Sequence, residues 1–218
     1  MARGTDFGGV HSYRDLNLIQ QQVEVDPAEP KLNLIDIPGA DGSKDMSEQP
    51  AGRVTYNDRL VAWTFGMYPE DRDWYAKQRQ VSNALNGRLC RITLDDSPDY
   101  YFIGRLAVKK YNRDMTLRQI TVEATCAPYQ LRQNETTRVE SITTVARQLL
   151  FPNEFKPAIP KITVTAQTVV VFNGNTFTLN PGSHRLLDIE FPEGVSTLTV
   201  NTVSGSGTIT ITYQEGSL

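Results

Sequence analysis

Strict alternation of apolar and polar residues constrains this 218-residue chain more than any other feature. Across residues 60–67, Val61, Trp63, Phe65 and Met67 fall on one face. Across residues 118–127, Ile120, Val122, Ala124 and Cys126 do the same, while Gln119, Thr121, Glu123 and Thr125 face away. Successive side chains of a strand point to opposite faces, so both segments read as half-buried strands. Residues 88–94 and 100–111 are two more such runs, flanking residues 95–99, whose aspartates and proline favour a turn. The spacing predicts a β-hairpin with a five-residue loop. A second turn, over residues 112–115, leads back into the strand that starts at Thr116, so three consecutive antiparallel strands make a meander.

One helix interrupts this pattern, predicted over residues 69–86. Pro69 suits the first helical position, Glu70, Asp71 and Asp73 complement the positive end of the helix dipole, and Gly87 suits a left-handed residue after the last turn. At 100° per residue, Trp74, Val81 and Leu85 lie within about 40° of one another, a narrow apolar stripe that anchors the helix on a sheet.

From about Leu131 the chain becomes rich in Thr and Val and poor in charge. After a break at residues 157–161, short alternating segments follow at residues 162–166, 168–172, 176–180, 186–191, 196–201 and 208–213. Asn173-Gly174 is a strong hairpin signal, and residues 180–183, 192–194 and 204–207 supply further turns. The expectation is a mainly β protein in two parts. Residues 1–130 form a β-sandwich or barrel-like domain with one helix, and residues 131–218 form a small second sandwich.

Charge excludes an obvious nucleic-acid binder. Residues 1–130 hold 16 Lys plus Arg against 18 Asp plus Glu, and the remainder holds 6 against 7, so no basic half exists to neutralise phosphates. The first 20 residues lack the apolar core of a signal peptide, and no run reaches the ~18 apolar residues of a membrane helix. The chain is therefore expected to fold in a cytoplasm without a membrane partner, with Cys90 and Cys126 as free, small core residues.

No catalytic or cofactor chemistry emerges from the residue types. His11 and His184 are the two histidines, and neither has a His or Cys at metal-ligand spacing. A Cys126–His184 dyad needs an exposed, electropositive thiol, whereas alternation puts Cys126 on the apolar face. Asp95, Asp96 and Asp99 could suggest paired glycosidase carboxylates, but neighbours on an extended chain diverge instead of converging on one bond. Residues 36–48 carry Asp36, Asp41, Asp45 and Glu48 around Gly39 and Gly42. Set as a calcium loop with Gly42 sixth, the first and third positions fall on Ile37 and Gly39, which offer no side-chain oxygen. The segment reads as a polar loop leaving a strand, with no metal and no cofactor.

Four pieces in order resemble the distal tail proteins of long, flexible-tailed bacteriophages: residues 9–19; the strand into residues 36–48 followed by residues 59–67; the helix end with residues 83–106; and residues 123–129 followed by a Thr-rich β domain ending at residues 205–218. The resemblance spans nearly the whole chain. It implies an N-terminal domain that closes a homo-hexameric ring and a C-terminal galectin-like sandwich projecting from it. It further implies a structural, non-enzymatic hub at the virion tail tip, assembled in the host cytoplasm. Its partners would be the tail tube protein above and a tail-tip hub or fibre protein below. On this reading residues 36–48 are an interface loop, with Asp36, Asp41, Lys44, Asp45 and Glu48 solvated or paired across a subunit boundary. The C-terminal part looks shorter than in relatives with insertions there. Two rivals stand beside this reading: a carbohydrate-binding adsorption protein that uses the C-terminal sandwich, and a tail tube or terminator protein.

Overall fold

The alternating segments pair into antiparallel sheets in a computed structural model that describes residues 3–67, 73–113 and 118–218. The chain is mainly β and divides into two units, Met1–Gln130 and Leu131–Leu218. Unit 1 contains β1 (Thr5–Phe7), β2 (Leu18–Val25), β3 (Leu34–Asp36), β4 (Ser43–Asp45), β5 (Arg59–Met67), α1 (Trp74–Leu85), β6 (Leu89–Leu94), β7 (Ser97–Arg113) and β8 (Arg118–Cys126). Its main sheet has the order β1-β6-β7-β8-β5-β2, with every neighbouring pair antiparallel. The meander β6-β7-β8 lies at its centre.

Alternation sets the core of this unit. Val61, Trp63 and Phe65 of β5 and Ile120, Val122, Ala124 and Cys126 of β8 are all fully buried in one cluster with Phe7, Leu18, Ile92 and Leu106. Trp74, Val81 and Leu85 of α1 belong to the same cluster, so the helix covers the inner face of the sheet. Residues 69–71, expected in the first helical turn, lie outside the described residues. The described helix begins at Trp74, where the Asp73 carboxylate caps it by accepting from Ala76 N at 2.8 Å. At its other end Gly87 takes φ +77°, the left-handed conformation that releases the chain toward β6.

The hairpin between β6 and β7 is tighter than the sequence suggests. Leu94 pairs with Ser97, so the turn is Asp95-Asp96 alone, and Ser97, Pro98 and Asp99 already belong to β7. A bulge between Ile92 and Leu94 supplies the local twist that a two-residue turn needs.

Unit 2 follows β9 (Gln130–Arg132). It runs β10 (Thr136–Ile142), β11 (Arg147–Asn153), β12 (Lys161–Val164), β13 (Thr168–Phe172), β14 (Asn175–Leu179), β15 (Gly182–Arg185), β16 (Gly194–Thr202), β17 (Gly207–Tyr213) and β18 (Gly216–Ser217). Two four-stranded sheets, β10-β17-β12-β15 and β11-β16-β13-β14, share one core that includes Leu149, Phe151, Ile162, Val170, Phe191, Leu198 and Ile211. This is a β-sandwich. Asn173-Gly174 makes the turn between β13 and β14, both residues at positive φ.

Two expectations for unit 2 are corrected. Residues 186–191 form no strand: Ile189 N donates to Leu186 O in a turn, Leu187 is 78% exposed, and Phe191 alone makes a bridge, with Ala158. Ile189 and Phe191 are buried at a spacing of two, which imitates a strand, but the turn before them sends Leu187 outward. Of residues 180–183, expected to be a turn, Gly182 and Ser183 instead open β15, paired with β12 through backbone bonds that its polar side chains do not signal.

Candidate functional site

Two places stand apart from the packed sheets. The first is an arm between β2 and β5. Asp26 N donates to Leu60 O, Asn57 N to Glu29 O and Lys31 N to Thr55 O, so the two chain segments continue alongside one another beyond the β2–β5 ladder. At the far end β3 and β4 form a small antiparallel ribbon in the register Leu34↔Asp45, Ile35↔Lys44 and Asp36↔Ser43. Its base is tied by Asn33 N to Ser47 Oγ at 2.8 Å and by Met46 N to Asn33 O at 2.8 Å. Residues 36–48 are thus not a structureless loop. Asp36 and Asp45 sit in strands on one face, Lys44 on the other, and Asp41 in the tip beside Gly39 and Gly42, both at positive φ. Glu48 follows in the turn after the ribbon.

The arm contributes nothing apolar to the core, since no buried hydrophobic residue falls between Leu18 and Val61. What it presents outward is apolar as well as acidic: Leu32, Leu34, Ile35 and Ile37 are 64, 54, 47 and 47% exposed. Asp36, Asp41, Lys44, Asp45 and Glu48 are all exposed around them. The Ser47 hydroxyl, and after it the Ser47 amide, hold the Asp45 carboxyl below its ordinary value. Such hydroxyl and amide partners occupy Asp45 without any cation. Asp36 likewise accepts from the Ser43 hydroxyl.

The second place is a cleft of about 690 Å³ in unit 1, lined by Arg3, His11, Tyr13, Arg14, Leu94 and Asp96 among others. His11 forms its floor and is 4% exposed. Its Nδ1 accepts from the amides of Tyr13 at 3.2 Å and Arg14 at 3.1 Å. Its Nε2 lies 3.3 Å from both carboxylate oxygens of Asp95. Asp95 also accepts from Gly4 N at 2.9 Å, and Asp96 pairs with Arg3 at 3.0 Å. Asp95 and Asp96 are therefore structural carboxylates at a tight turn, each engaged with the N-terminal segment. Sequence reasoning missed this joint; the available signal was a histidine directly before a run of polar turn residues, where a side-chain acceptor can cap backbone N–H groups.

The remaining chemical candidates are occupied or inert. Burial pushes the Cys126 thiol up to about 12, although Arg59 beside it acts the other way, so at neutral pH it is no nucleophile. Cys90 is half-buried and its thiol is also raised by burial. His184 lies in β15 with Nε2 2.7 Å from Asn180 O. Among the described residues no group of three or more His, Cys, Asp or Glu side chains is placed to hold a metal ion.

Comparison with protein-family models gives no match, and neither does comparison with curated proteins. Among solved structures, the chain is similar to the crystal structure of the Dit protein (gp 19.1) of SPP1, described as a paradigm of the hub adsorption apparatus in phages that infect Gram-positive bacteria. The TM-score is 0.68 over 100% of both chains, at 14% sequence identity. At that identity the likeness establishes a shared fold along the entire chain.

Proposed function

We propose that this protein is a structural hub of a phage tail tip, closing as a hexameric ring between the tail tube protein and a tail-tip or fibre-bearing protein. The full-length likeness in fold to a hub adsorption protein supports the class of role. The observation that carries the assembly is the arm. A segment with no fully buried apolar side chain, whose ribbon exposes Leu34 on one face and Ile35 on the other with Leu32 and Ile37 exposed at its ends, is suited to burial against another chain. In a ring each subunit gives one surface to a different surface of its neighbour, and obligate contacts of this kind bury ~2,000 Å² or more. Asp36, Asp41, Lys44, Asp45 and Glu48 then make the polar part of that contact, interleaved with the apolar residues. The role requires no catalytic group, and the protein acts as a scaffold in the virion tail after assembly in the host cell.

The carbohydrate-binding alternative finds less support. Exposed aromatics usually floor a sugar site, yet Phe151, Phe172, Phe191 and Tyr213 of unit 2 are buried, with Phe151 stacked on Phe191 at 5.2 Å. The test is light scattering and electron microscopy of the full-length protein, with and without the tail tube protein, beside a Leu34→Asp/Ile35→Asp variant. Six-membered rings are expected from the native protein, and monomers with an unchanged melting temperature from the variant. A native protein that stays monomeric in both conditions sinks the hexamer, and a variant that assembles normally removes the arm from the interface.

A further inference from the structure

We propose that His11 is an acid-operated latch on the N-terminal turn, releasing the rim of its cleft when the imidazole takes up a second proton. The inference is independent of the oligomeric reading. The neutral ring has a fixed tautomer here. Nδ1 receives two amide protons, from Tyr13 and Arg14, so it must be the acceptor, and the ring proton resides on Nε2, facing Asp95. The ring packs closely on Gly4, where a Cβ, if present, would come within 2.4 Å of Cε1.

The turn depends on that acceptor. Asp15 N and Leu16 N both donate to His11 O, Asn17 N donates to Tyr13 O, and Leu18 N to Ser12 O, so residues 11–18 wind tightly between β1 and β2. Leu16 and Leu18 fix the far end in the core, and Ser12, with its hydroxyl accepting from Thr5 N, fixes the near end. Between these anchors Tyr13 is half-buried and Arg14 exposed, and both line the cleft. Their amides are held at the imidazole Nδ1.

A proton added to Nδ1 turns the acceptor into a donor that faces two other donors. Both amide bonds are then lost. At Nε2 the opposite happens, since the imidazolium still donates to Asp95 and opposite charge strengthens that bond. The ring therefore stays on Asp95 and lets go of Tyr13 and Arg14, whose amides turn to the water of the open cleft. The charged groups around the ring are Asp95 and Asp96 from the β6–β7 turn, Arg3 before β1, Asp6 of β1, which bridges to His11, and Arg14 and Asp15 of its own turn, with Asp15 Oδ2 accepting from His11 N at 2.7 Å. These are four carboxylates and two arginines, of which Arg3 is paired with Asp96.

The experiment uses the intact chain. Long-range proton–nitrogen NMR of the imidazole reports the tautomer, and amide hydrogen exchange, corrected for its intrinsic pH dependence, reports the turn across about pH 8 to 5, the interval in which histidine changes charge. The expected result is an Nε2–H tautomer at high pH. Protection at Tyr13 and Arg14 should then fall about fivefold or more on acidification, as loss of a hydrogen bond allows, while Ser12 and Leu18 keep theirs. In His11→Asn the side-chain oxygen replaces Nδ1 as acceptor and does not titrate, so protection there should be flat with pH. An Nδ1–H tautomer, or protection at Tyr13 and Arg14 that persists through the imidazole titration, overturns the latch on the native protein alone, as does an equal loss in His11→Asn.

Discussion

Gly104 of β7 and Cys126 of β8 are cross-strand partners, and a Cβ placed on residue 104 would lie 2.4 Å from Cys126 Sγ and 3.1 Å from Thr125 O. The thiol occupies the space that the missing side chain leaves. Gly104→Ala should therefore overpack the centre of the sheet and lower stability by about 1 to 3 kcal/mol, the usual range for added methylenes in a filled core. Part of the strain comes from the backbone at Thr125, so Gly104→Ala/Cys126→Ala should recover some but not all of that loss. Urea unfolding of the two single variants and the double variant measures the coupling. Strict additivity would disprove the contact.

The same burial governs thiol chemistry. With the Cys126 thiol pushed up to about 12 and fully enclosed, almost no thiolate forms and none is accessible. Alkylation of the native protein at pH 8 should modify Cys90 slowly and Cys126 only after denaturation. Mass spectrometry of digested samples reads this, and rapid native labelling of Cys126 would show that β8 opens on the timescale of the reaction.

Trp74 fixes α1 to the sheet. It is buried, meets Tyr111 of β7 edge to face at 6.2 Å, and that tyrosine donates to Gln78 O of the helix at 3.0 Å. Trp74→Ala removes a large part of the helix contact at a cost of ~3 to 5 kcal/mol, a substantial share of a small domain's stability. The variant should melt markedly lower or fail to accumulate as soluble protein. An unchanged melting temperature would mean that the helix is held by Val81 and Leu85 alone.

Legibility in the sequence followed the chemistry of each strand. Val61, Trp63 and Phe65, like Ile120, Val122 and Ala124, advertise a buried face because nothing but apolar side chains points inward. β10 gave no such signal. Its inward positions are Arg138 and Glu140, with Val139 turned to solvent, because it is an edge strand whose inner side closes on an ion network. Arg138 bonds Glu140 and lies 5.5 Å from the Phe151 ring centre, and Arg147 reaches the other Glu140 oxygen at 3.2 Å. The same Arg138 bond, foremost among several contributions, holds the Glu140 carboxyl below its ordinary value. The His11–Asp95 joint was hidden for a different reason: 84 positions separate the partners, and no local pattern encodes a contact made by folding a hairpin onto the chain's opening turn. The arm was legible as a polar segment at residues 36–48. Its exposed apolar residues were not, since a short apolar run leading into a polar loop gives no local sign that both of its faces stay open to solvent.

Assembly should reside in unit 1. Each unit has its own apolar cluster, one centred on Trp63 and Phe65 and the other on Phe151 and Phe191, so each has the means to fold alone. They differ in what they leave unburied. Unit 1 carries the arm, with four large apolar residues exposed within six positions outside its core, whereas the exposed apolar residues of unit 2 sit on its packed strands and turns, Leu150 and Val195 on the outer face of the β11–β16 pair. A ribbon that adds nothing to its own core and exposes apolar residues on both faces is the better candidate for a partner. We therefore expect residues 1–130 to form hexamers by themselves or once tail tube protein is added, and residues 131–218 to remain monomeric at the same concentrations. Light scattering on the two fragments, after circular dichroism has shown each to be folded, decides between the possibilities. A folded but persistently monomeric N-terminal fragment beside a self-associating C-terminal one would move the interface to the sandwich and remove the ground for assigning the ring to the arm.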